Sequence, residues 1–317
     1  MTQSRKVNGN YEERAALYYP YIHIRSENWL KSAILAFQKV NRIVPFLFTL
    51  ADDEIIHPYS VLTGPDKRPL LDEARIHTER VEQAQKYLFE HLKEHEAALL
   101  ERYTEDCTPE EYRKGEKAFQ LHRLKILNPE FSDWLLNKKL AWNAQEFEER
   151  DKFHWFTVHP RLGAAIMSVL ALAIAKQDGL NVVTPSARAH QTLLANSEKH
   201  VLAKLLEMPI SPDDELREDV TVQELCQVVL ATGFDLTRLK PEDIRDMVMQ
   251  GGRELRKFYG NLGGFAANIP ADLDDQERAR RLGAKAEEVL EDWRACTEKL
   301  PQLKQAIKDA ASEKGLE

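Results

Sequence analysis

The opening of the chain alternates between short apolar segments and an amphipathic one, in the order strand, helix, strand. Residues 15–19 are rich in aromatic side chains and predict a strand that has to end, bulge or lie at an edge at Pro20, which has no N–H for a sheet. Ser26 can cap a helix over residues 29–37, where apolar residues recur at helical spacing. Residues 42–50 are short, apolar and β-branched, and they predict a second strand.

The next hundred residues carry mainly helical patterns. Residues 72–103 contain neither Gly nor Pro, and one apolar stripe in a charged surround predicts a long amphipathic helix. Thr108, Pro109 and Glu111 combine an N-cap, a first-turn proline and a capping-box glutamate, which predicts the start of another helix. Residues 119–127 alternate weakly and predict a third strand, and residues 131–140 predict a short helix.

The strongest pattern lies in the middle of the chain. Residues 153–159 are rich in strand formers and stop at Pro160, and residues 180–184 predict another strand. Between them, residues 162–175 are apolar on every side, which predicts a buried helix that ends near Gly179. Such a unit predicts two adjacent or near-adjacent parallel strands joined by a right-handed crossover.

Strand patterns fade after about residue 189. Thr221 with Glu224 forms a capping box, Pro241 opens a helix, and residues 273–300 predict a long charged helix. We therefore predict an α/β fold with a small, mostly parallel sheet flanked by helices and a helical C-terminal part. The expected division is an α/β domain over residues 1–205 and a helical domain over residues 206–317.

Composition narrows the function classes. The 317 residues are 43% hydrophobic, which is enough to bury a core, and 44 Lys and Arg against 52 Asp and Glu give a net charge of −8. This balance disfavours a broad electrostatic grip on nucleic acid, although local basic patches remain compatible with it. The longest uncharged apolar run, residues 162–175, is shorter than the ~20 residues that span a bilayer, and no signal-type segment follows Met1. We expect a cytoplasmic protein without a membrane partner, with its three widely spaced cysteines reduced.

Motifs for cofactors or metals are weak. The glycine runs near residues 251 and 260 match neither phosphate-binding fingerprint, so no cofactor is predicted. His91 and His95 have metal-ligand spacing, but no third ligand is evident. We therefore predict no metal-binding residues. Asp52 and Asp53 come directly after the second strand and are the alternative metal site, because their carboxylate oxygens could bind Mg²⁺. The competing interpretation is that they are ordinary turn and helix-cap residues.

Cationic side chains follow several of the predicted strands. Ligands of open α/β sheets bind outside the carboxyl ends of the strands, so we predict one crevice there that favours an anionic group. The competing interpretation is that His159 caps the buried helix and His23 packs near Trp29. The residues expected to bind the ligand are His23, Arg25, His159, Arg161 and Thr184, with His122 and Lys125 of the third strand facing the same crevice.

Two blocks of the sequence resemble a bacterial family known as a domain of unknown function. The first is Leu-Tyr-Tyr-Pro-Tyr-Ile-His-Ile-Arg at 17–25 with Trp-Leu-Lys at 29–31 and Arg-Ile-Val-Pro at 42–45; the second runs from Val-His-Pro at 158–160 to Val-Val-Thr at 182–184. The resemblance covers most of residues 15–190. It implies a bacterial cytosolic protein, often encoded among mobile-element or defence genes. Family members have Asp where this chain has Pro185, so no role of that acid carries over.

Two functions follow as expectations. The first is a cytosolic, non-catalytic subunit or recognition component of a bacterial assembly, with antiviral defence as the implied setting. It implies a protein partner, with a small anionic ligand or nucleic acid as further partners. The alternative is a metal-dependent enzyme acting on a nucleotide or nucleic-acid phosphate. The sequence leaves open whether the protein is an enzyme.

Overall fold

A computed structural model of the chain describes residues 15–45, 48, 50–74, 76–114, 117–143, 155–184, 198–208, 236–251, 276–277, 280–287 and 289. The strands are β1 (Ala16–Tyr18), β2 (Val40–Ile43), β3 (Leu71–Ala74), β4 (Phe119–His122), β5 (Ala141–Asn143), β6 (Trp155–Val158) and β7 (Asn181–Val183). The named helices are α1 (Glu27–Phe37), α2 (His57–Val61), α3 (Glu79–Glu94), α4 (Glu96–Tyr103), α5 (Pro129–Asn137), α6 (Pro160–Asp178) and α7 (Glu198–Leu206). A further helix covers residues 241–251.

Four strands form a parallel sheet in the order β3-β2-β1-β7, which confirms the α/β prediction. The first β-α-β unit follows its sequence pattern closely. The Ser26 hydroxyl accepts a hydrogen bond from the Trp29 N–H (3.2 Å) at the start of α1, and Gln38 ends that helix in the left-handed region with φ 65°. β1 ends at Tyr18, two residues before Pro20, and the Tyr19–Pro20 peptide bond is cis.

The parallel sheet divides the apolar core into two layers because successive strand residues point to opposite faces. Ala16 and Tyr18 face α1, in a layer that also holds apolar residues of the C-terminal helices. Leu17 and Tyr19 face the layer of α3, α6 and α7. The C-terminal residues packed in the first layer are Leu236, Leu239, Ile244, Met247, Val248, Leu282, Ala286 and Val289.

Helix α6 is the centre of the second layer. Every residue from Leu162 to Ala175 is buried, as the all-round apolar pattern predicts. His159 caps its start, with the ring Nδ1 accepting from the Arg161 N–H (3.2 Å), and Gly179 ends it with φ 66°. The buried Ser168 hydroxyl lies 3.3 Å from the Tyr19 hydroxyl, so α6 is tied to the residue that follows β1.

The prediction that parallel strands of one sheet lie on both sides of α6 in the sequence is correct for β7 and wrong for β6. β7 does join the parallel sheet beside β1, but β6 pairs antiparallel with β4 and with β5 in a separate three-stranded sheet. Strand propensity reflects how well a side chain fits a pleated, half-buried surface and does not select the partner strand. Helix α6 therefore connects two sheets rather than two neighbouring strands.

Two other helix predictions need correction. Residues 72–103 contain most of strand β3 and two helices, because the chain leaves helical geometry at His95 (φ −110°, ψ 24°). The capping signal at Thr108 precedes only a single 3₁₀ turn, Glu110–Tyr112. The Thr108 hydroxyl donates to the carbonyl oxygen of Thr104 (2.9 Å), and the 3₁₀ turn has no side-chain cap hydrogen bond.

The described residues test only part of the predictions for the C-terminal region. A helix begins at Pro241, as predicted, and the Lys31 ammonium of α1 donates to the Leu236 carbonyl oxygen at 2.9 Å. Thr221 and Glu224 lie outside the described residues, and so does most of 273–300. The division into domains 1–205 and 206–317 stays a prediction. Within the described ranges, no helix has the length and apolar character needed to cross a bilayer.

Candidate functional site

The carboxyl edge of the parallel sheet contains a change in strand order. From β1 the chain adds β2 and then β3 on one side, whereas β7 is added on the other side of β1. Open α/β sheets bind ligands at such a point, outside the carboxyl ends of the strands. The turn that follows β1 lies there and carries His23 and Arg25. Thr184 follows β7 at the same edge and is buried.

The turn after β1 is held by its own aromatic residues. The Tyr18 hydroxyl donates to the His23 carbonyl oxygen (3.0 Å), and burial raises the pKa of that phenol far above its usual range, so it stays a donor. The Arg25 guanidinium lies over the Tyr21 ring, 3.7 Å from its centroid. His23 and Arg25 are exposed to solvent.

Lys125 is the most unusual group at this edge. It follows β4 in a 3₁₀ turn, is 3% exposed, and donates from Nζ to the Pro20 carbonyl oxygen (3.3 Å) in the turn after β1. Across the described part of the chain no carboxylate pairs with it. Burial without a counter-charge lowers the pKa of Lys125 to about 7.

The backbone that carries Lys125 is fixed by one glutamine. The buried Gln85 side chain of α3 donates to the Lys125 carbonyl oxygen (2.7 Å) and accepts from the Leu127 N–H (2.7 Å). Both polar ends of the amide are thus used to hold the segment after β4 in place.

A buried ion pair interacts electrostatically with His23, as Lys125 does. Arg42 of β2 donates from both terminal nitrogens to Asp52, at 2.6 and 2.7 Å, and the Ser60 hydroxyl adds a third bond to that carboxylate (2.9 Å). Burial alone would raise the pKa of Asp52, but the Arg42 guanidinium and the Ser60 hydroxyl outweigh it and lower the pKa. Both oxygens of Asp52 are therefore occupied by protein donors.

Asp53 also has a local role. One of its carboxylate oxygens accepts from the Ile55 and Ile56 N–H groups, at 3.1 and 2.8 Å, and so fixes the turn before α2. The alternative ligands for Mg²⁺, Asp52 and Asp53, are thus engaged in a salt bridge and a turn. Across the described ranges, no three His, Cys, Asp or Glu side chains are grouped as a metal site would require.

Aromatic rings form a wall next to His23. The Phe48 ring lies 6.4 Å from His23, 5.3 Å from His122 and 6.1 Å from Trp155, measured between centroids. Burial lowers the pKa of His23, and the Arg42 and Lys125 charges lower it further, against the raising effect of Asp52 and Asp53. The structure therefore brings together His23, Lys125 and His122, three of the predicted residues.

His159 and Arg161 belong to different surroundings. They follow β6, which is not a strand of the parallel sheet, so the basis for placing them at its carboxyl edge is wrong. The His159 ring packs on Tyr103 with centroids 4.8 Å apart, and Arg161 pairs with Glu207 beyond α7 (3.2 Å). The capping role that competed with ligand binding is the contact seen for His159.

Sequence reasoning did not single out Arg42, although the residue carries the only charge of the predicted strand at 42–50. A cation in an otherwise apolar strand needs a buried partner, and that requirement was a usable signal. Phe48 and Trp155 gave no comparable signal, since aromatic residues in predicted strands are most often core residues.

Comparison with protein-family models, with curated proteins and with solved structures finds no match to this chain. The family resemblance of the two sequence blocks stays a prediction.

Proposed function

We propose that this protein is a recognition component of a bacterial assembly, and that it binds an anionic group of its partner at the carboxyl-edge cluster, defined as His23, Arg42, Asp52 and Lys125. The observation that carries this proposal is Lys125, a buried amine near an exposed histidine, which has one carbonyl acceptor and, within the described ranges, no carboxylate partner. An ammonium group has three donors, so two are left for a ligand.

The electrostatics favour an anion. A buried ammonium is costly without a counter-charge, and a bound carboxylate or phosphate would supply that charge. His23 stands at the solvent side of the cluster and becomes a second cation when it is protonated. Arg42 is already neutralised by Asp52, so it adds rigidity rather than free charge.

The hydrogen bonds of the acidic residues favour a recognition function over the alternative, a metal-dependent enzyme acting on a nucleotide or nucleic-acid phosphate. A metal-dependent phosphoryl enzyme needs carboxylate oxygens free to ligate, and both oxygens of Asp52 accept from Arg42 or Ser60. The aromatic wall of Phe48 and Trp155 supplies apolar contact area of the kind that protein partners use. An acidic segment of a protein partner fits both features.

Calorimetry on the full chain tests the proposal. The probes are inorganic phosphate and a short poly-glutamate peptide, at pH values on either side of the Lys125 pKa. We expect binding to strengthen as pH falls, with proton uptake, because both Lys125 and His23 gain charge. Lys125→Met and His23→Gln should each weaken binding about tenfold, the effect of losing one charge-assisted hydrogen bond.

Two exposed residues provide matched controls, Lys86→Met and His77→Gln, which should leave the affinity unchanged. Binding that is the same in all four variants would contradict the proposed site. Turnover of a phosphate ester that depends on Asp52 and on added Mg²⁺ would favour the enzyme instead.

A further inference from the structure

A small cavity is lined by the segment that follows α4 and by the outer strand β5 of the antiparallel sheet. Its lining residues are Glu105, Glu110, Arg113, Lys114 and Trp142. The volume is about 220 Å³, below the roughly 300 to 1,000 Å³ of pockets for drug-sized ligands. At about 30 Å³ per water molecule this space equals about seven waters, so it suits a small ligand. We call it the Arg113 cavity.

Hydrogen bonds fix the backbone around the Arg113 cavity. The Glu105 N–H donates to the Lys139 carbonyl oxygen shortly before β5 (3.1 Å), and the Arg113 N–H donates to the Glu110 carbonyl oxygen (3.0 Å). Trp142 belongs to β5 and is half-buried, so its indole supplies an apolar surface beside the charged residues. The cavity is therefore built from ordered backbone rather than from side chains alone.

Arg113 is the unusual group of this cavity. The residue is half-buried, and its Nε atom is buried without a hydrogen-bond partner. Across the described part of the chain, no carboxylate pairs with the guanidinium and no carbonyl oxygen accepts from it. A guanidinium keeps its charge at any ordinary pH, and a buried donor without an acceptor is costly. An anionic group of a ligand would relieve that cost.

The two carboxylates that line the cavity have different surroundings. Glu110 is exposed and pairs with the Lys114 ammonium (3.0 Å); this ammonium, and next the Arg113 guanidinium, lower the pKa of Glu110. Glu105 is half-buried, and no cation within the described ranges pairs with it, Arg113 included. One positive and one negative group thus line the same small space without neutralising each other through a direct contact.

We infer that the Arg113 cavity binds a small zwitterion, a free amino acid with an apolar side chain. The carboxylate of the ligand pairs with Arg113, its ammonium group pairs with Glu105, and its side chain packs on Trp142. The guanidinium fork matches a carboxylate with two parallel hydrogen bonds. An anion alone would leave Glu105 without a partner, and a cation alone would leave Arg113 without one, so the lining favours a molecule with both charges.

Calorimetry on the full chain with L-leucine tests this inference. Two analogues keep the leucine skeleton: 4-methylpentanoate lacks the ammonium group, and 3-methylbutylamine lacks the carboxylate. We expect leucine to bind at least about tenfold more tightly than either, the effect of one charge-assisted hydrogen bond. Arg113→Gln and Glu105→Gln should each weaken leucine binding by a similar factor.

The analogues separate a lost contact from general damage to the fold. Arg113→Gln should leave the affinity for 3-methylbutylamine unchanged, because that ligand has no carboxylate for Arg113 to bind. Glu105→Gln should in the same way leave the affinity for 4-methylpentanoate unchanged. Arg80 and Glu90 are exposed residues of α3, and Arg80→Gln and Glu90→Gln are the matched controls that should bind leucine normally.

Lys125→Met keeps this inference separate from the carboxyl-edge proposal. The variant should bind leucine normally, and 4-methylpentanoate is titrated in the same variant because a carboxylate would also bind at the carboxyl-edge cluster. The inference is overturned if leucine does not bind, if either analogue binds as tightly as leucine, or if Arg113→Gln and Glu105→Gln retain full affinity. Leucine binding that is lost in Lys125→Met would also overturn it, since the ligand would then occupy the other site.

Discussion

The ammonium group of Lys125 donates to the carbonyl oxygen of Pro20 across 105 residues of sequence. This bond joins the segment after the antiparallel strand β4 to the turn after the parallel strand β1. One buried amine therefore links the two sheets at the edge where the strand order changes. Because Gln85 fixes the backbone of the lysine, the position of Nζ depends on three separate elements.

Lys125→Met should stabilise the protein near neutral pH and remove a pH dependence. The pKa of Lys125 is lowered from 10.5 to about 7 in the folded state, so between these values the unfolded chain binds more protons than the folded one. Stability of the wild type should therefore rise from about pH 7 to about pH 10.5, by up to about 5 kcal/mol. Methionine carries no such charge and matches the lysine stem in shape.

Urea unfolding at a series of pH values measures this slope. Lys86 is an exposed lysine of α3, and Lys86→Met should keep the wild-type dependence. A Lys125→Met protein that retains the full rise in stability above neutral pH would show that another group causes it.

Asp52→Asn should be strongly destabilising. The Arg42 and Asp52 side chains are 4% and 5% exposed, and removing the negative charge leaves the guanidinium buried without a counter-charge. Breaking a buried pair in this way costs about 3 to 5 kcal/mol. The pKa of Asp52 is lowered in the folded state, so its contribution is present above the usual Asp pKa and is lost as pH falls below it. The difference between wild type and variant should therefore shrink in acid.

The exposed Arg123–Asp133 pair provides the comparison (3.1 Å). Asp133→Asn should cost less than about 1 kcal/mol, because exposed pairs are screened by water. Denaturant midpoints measured side by side decide the matter. Equal losses in the two variants would mean that the Arg42–Asp52 pair is not desolvated as the structure describes.

Local signals predicted the elements whose causes are local. The Ser26 cap, the stop at Gly179 and the uniformly apolar α6 each depend on neighbouring residues, and each is found where the sequence placed it. Strand β3 was missed because its two middle residues, Asp72 and Glu73, are acidic, and one of them is neutralised by Lys39 from another element. The partner of β6 was assigned wrongly because pairing is a long-range property that strand composition does not encode.

The same difference between local and long-range signals explains which site residues the sequence placed correctly. His23 was expected at the carboxyl edge because it follows β1 directly, and Lys125 was expected near it through the predicted third strand. His159 and Arg161 were placed there only through the assumed pairing of β6, so they inherit that error. The 3₁₀ turn that points Lys125 toward Pro20 is held by Gln85, a contact between residues 40 positions apart that no local pattern reveals.

Arg161→Ala should have little effect on stability and none on anion binding at the carboxyl-edge cluster. Its partner Glu207 and Arg161 itself are 57% and 62% exposed, and an exposed pair contributes less than about 1 kcal/mol. Thermal unfolding and the phosphate titration measure the two quantities. Loss of phosphate binding with unchanged stability would return Arg161 to the binding site that the sequence predicted.

Gly163→Ala should destabilise the protein, although alanine is the better helix former. Gly163 lies in the first turns of α6 beneath the Phe119 side chain of β4, and a methyl group there would overlap the phenyl ring. Alanine gains about 1 kcal/mol of helix propensity, whereas overpacking at a rigid contact costs about 1 to 3 kcal/mol. The overlap includes Cγ, the ring atom bonded to Cβ, so the whole phenyl group has to shift to make room for the methyl group.

Gly283→Ala is the matched control, since a methyl group at that helical position meets nothing within 4 Å. It should stabilise the protein by about 0.5 to 1 kcal/mol. Adding Phe119→Ala removes the ring, so in that background Gly163→Ala should lose its penalty, and the double-mutant cycle should show coupling of at least about 1 kcal/mol. Chemical denaturation of the four proteins measures that coupling. Additive effects, or a stabilised Gly163→Ala protein, would mean that β4 does not pack on α6 through Phe119.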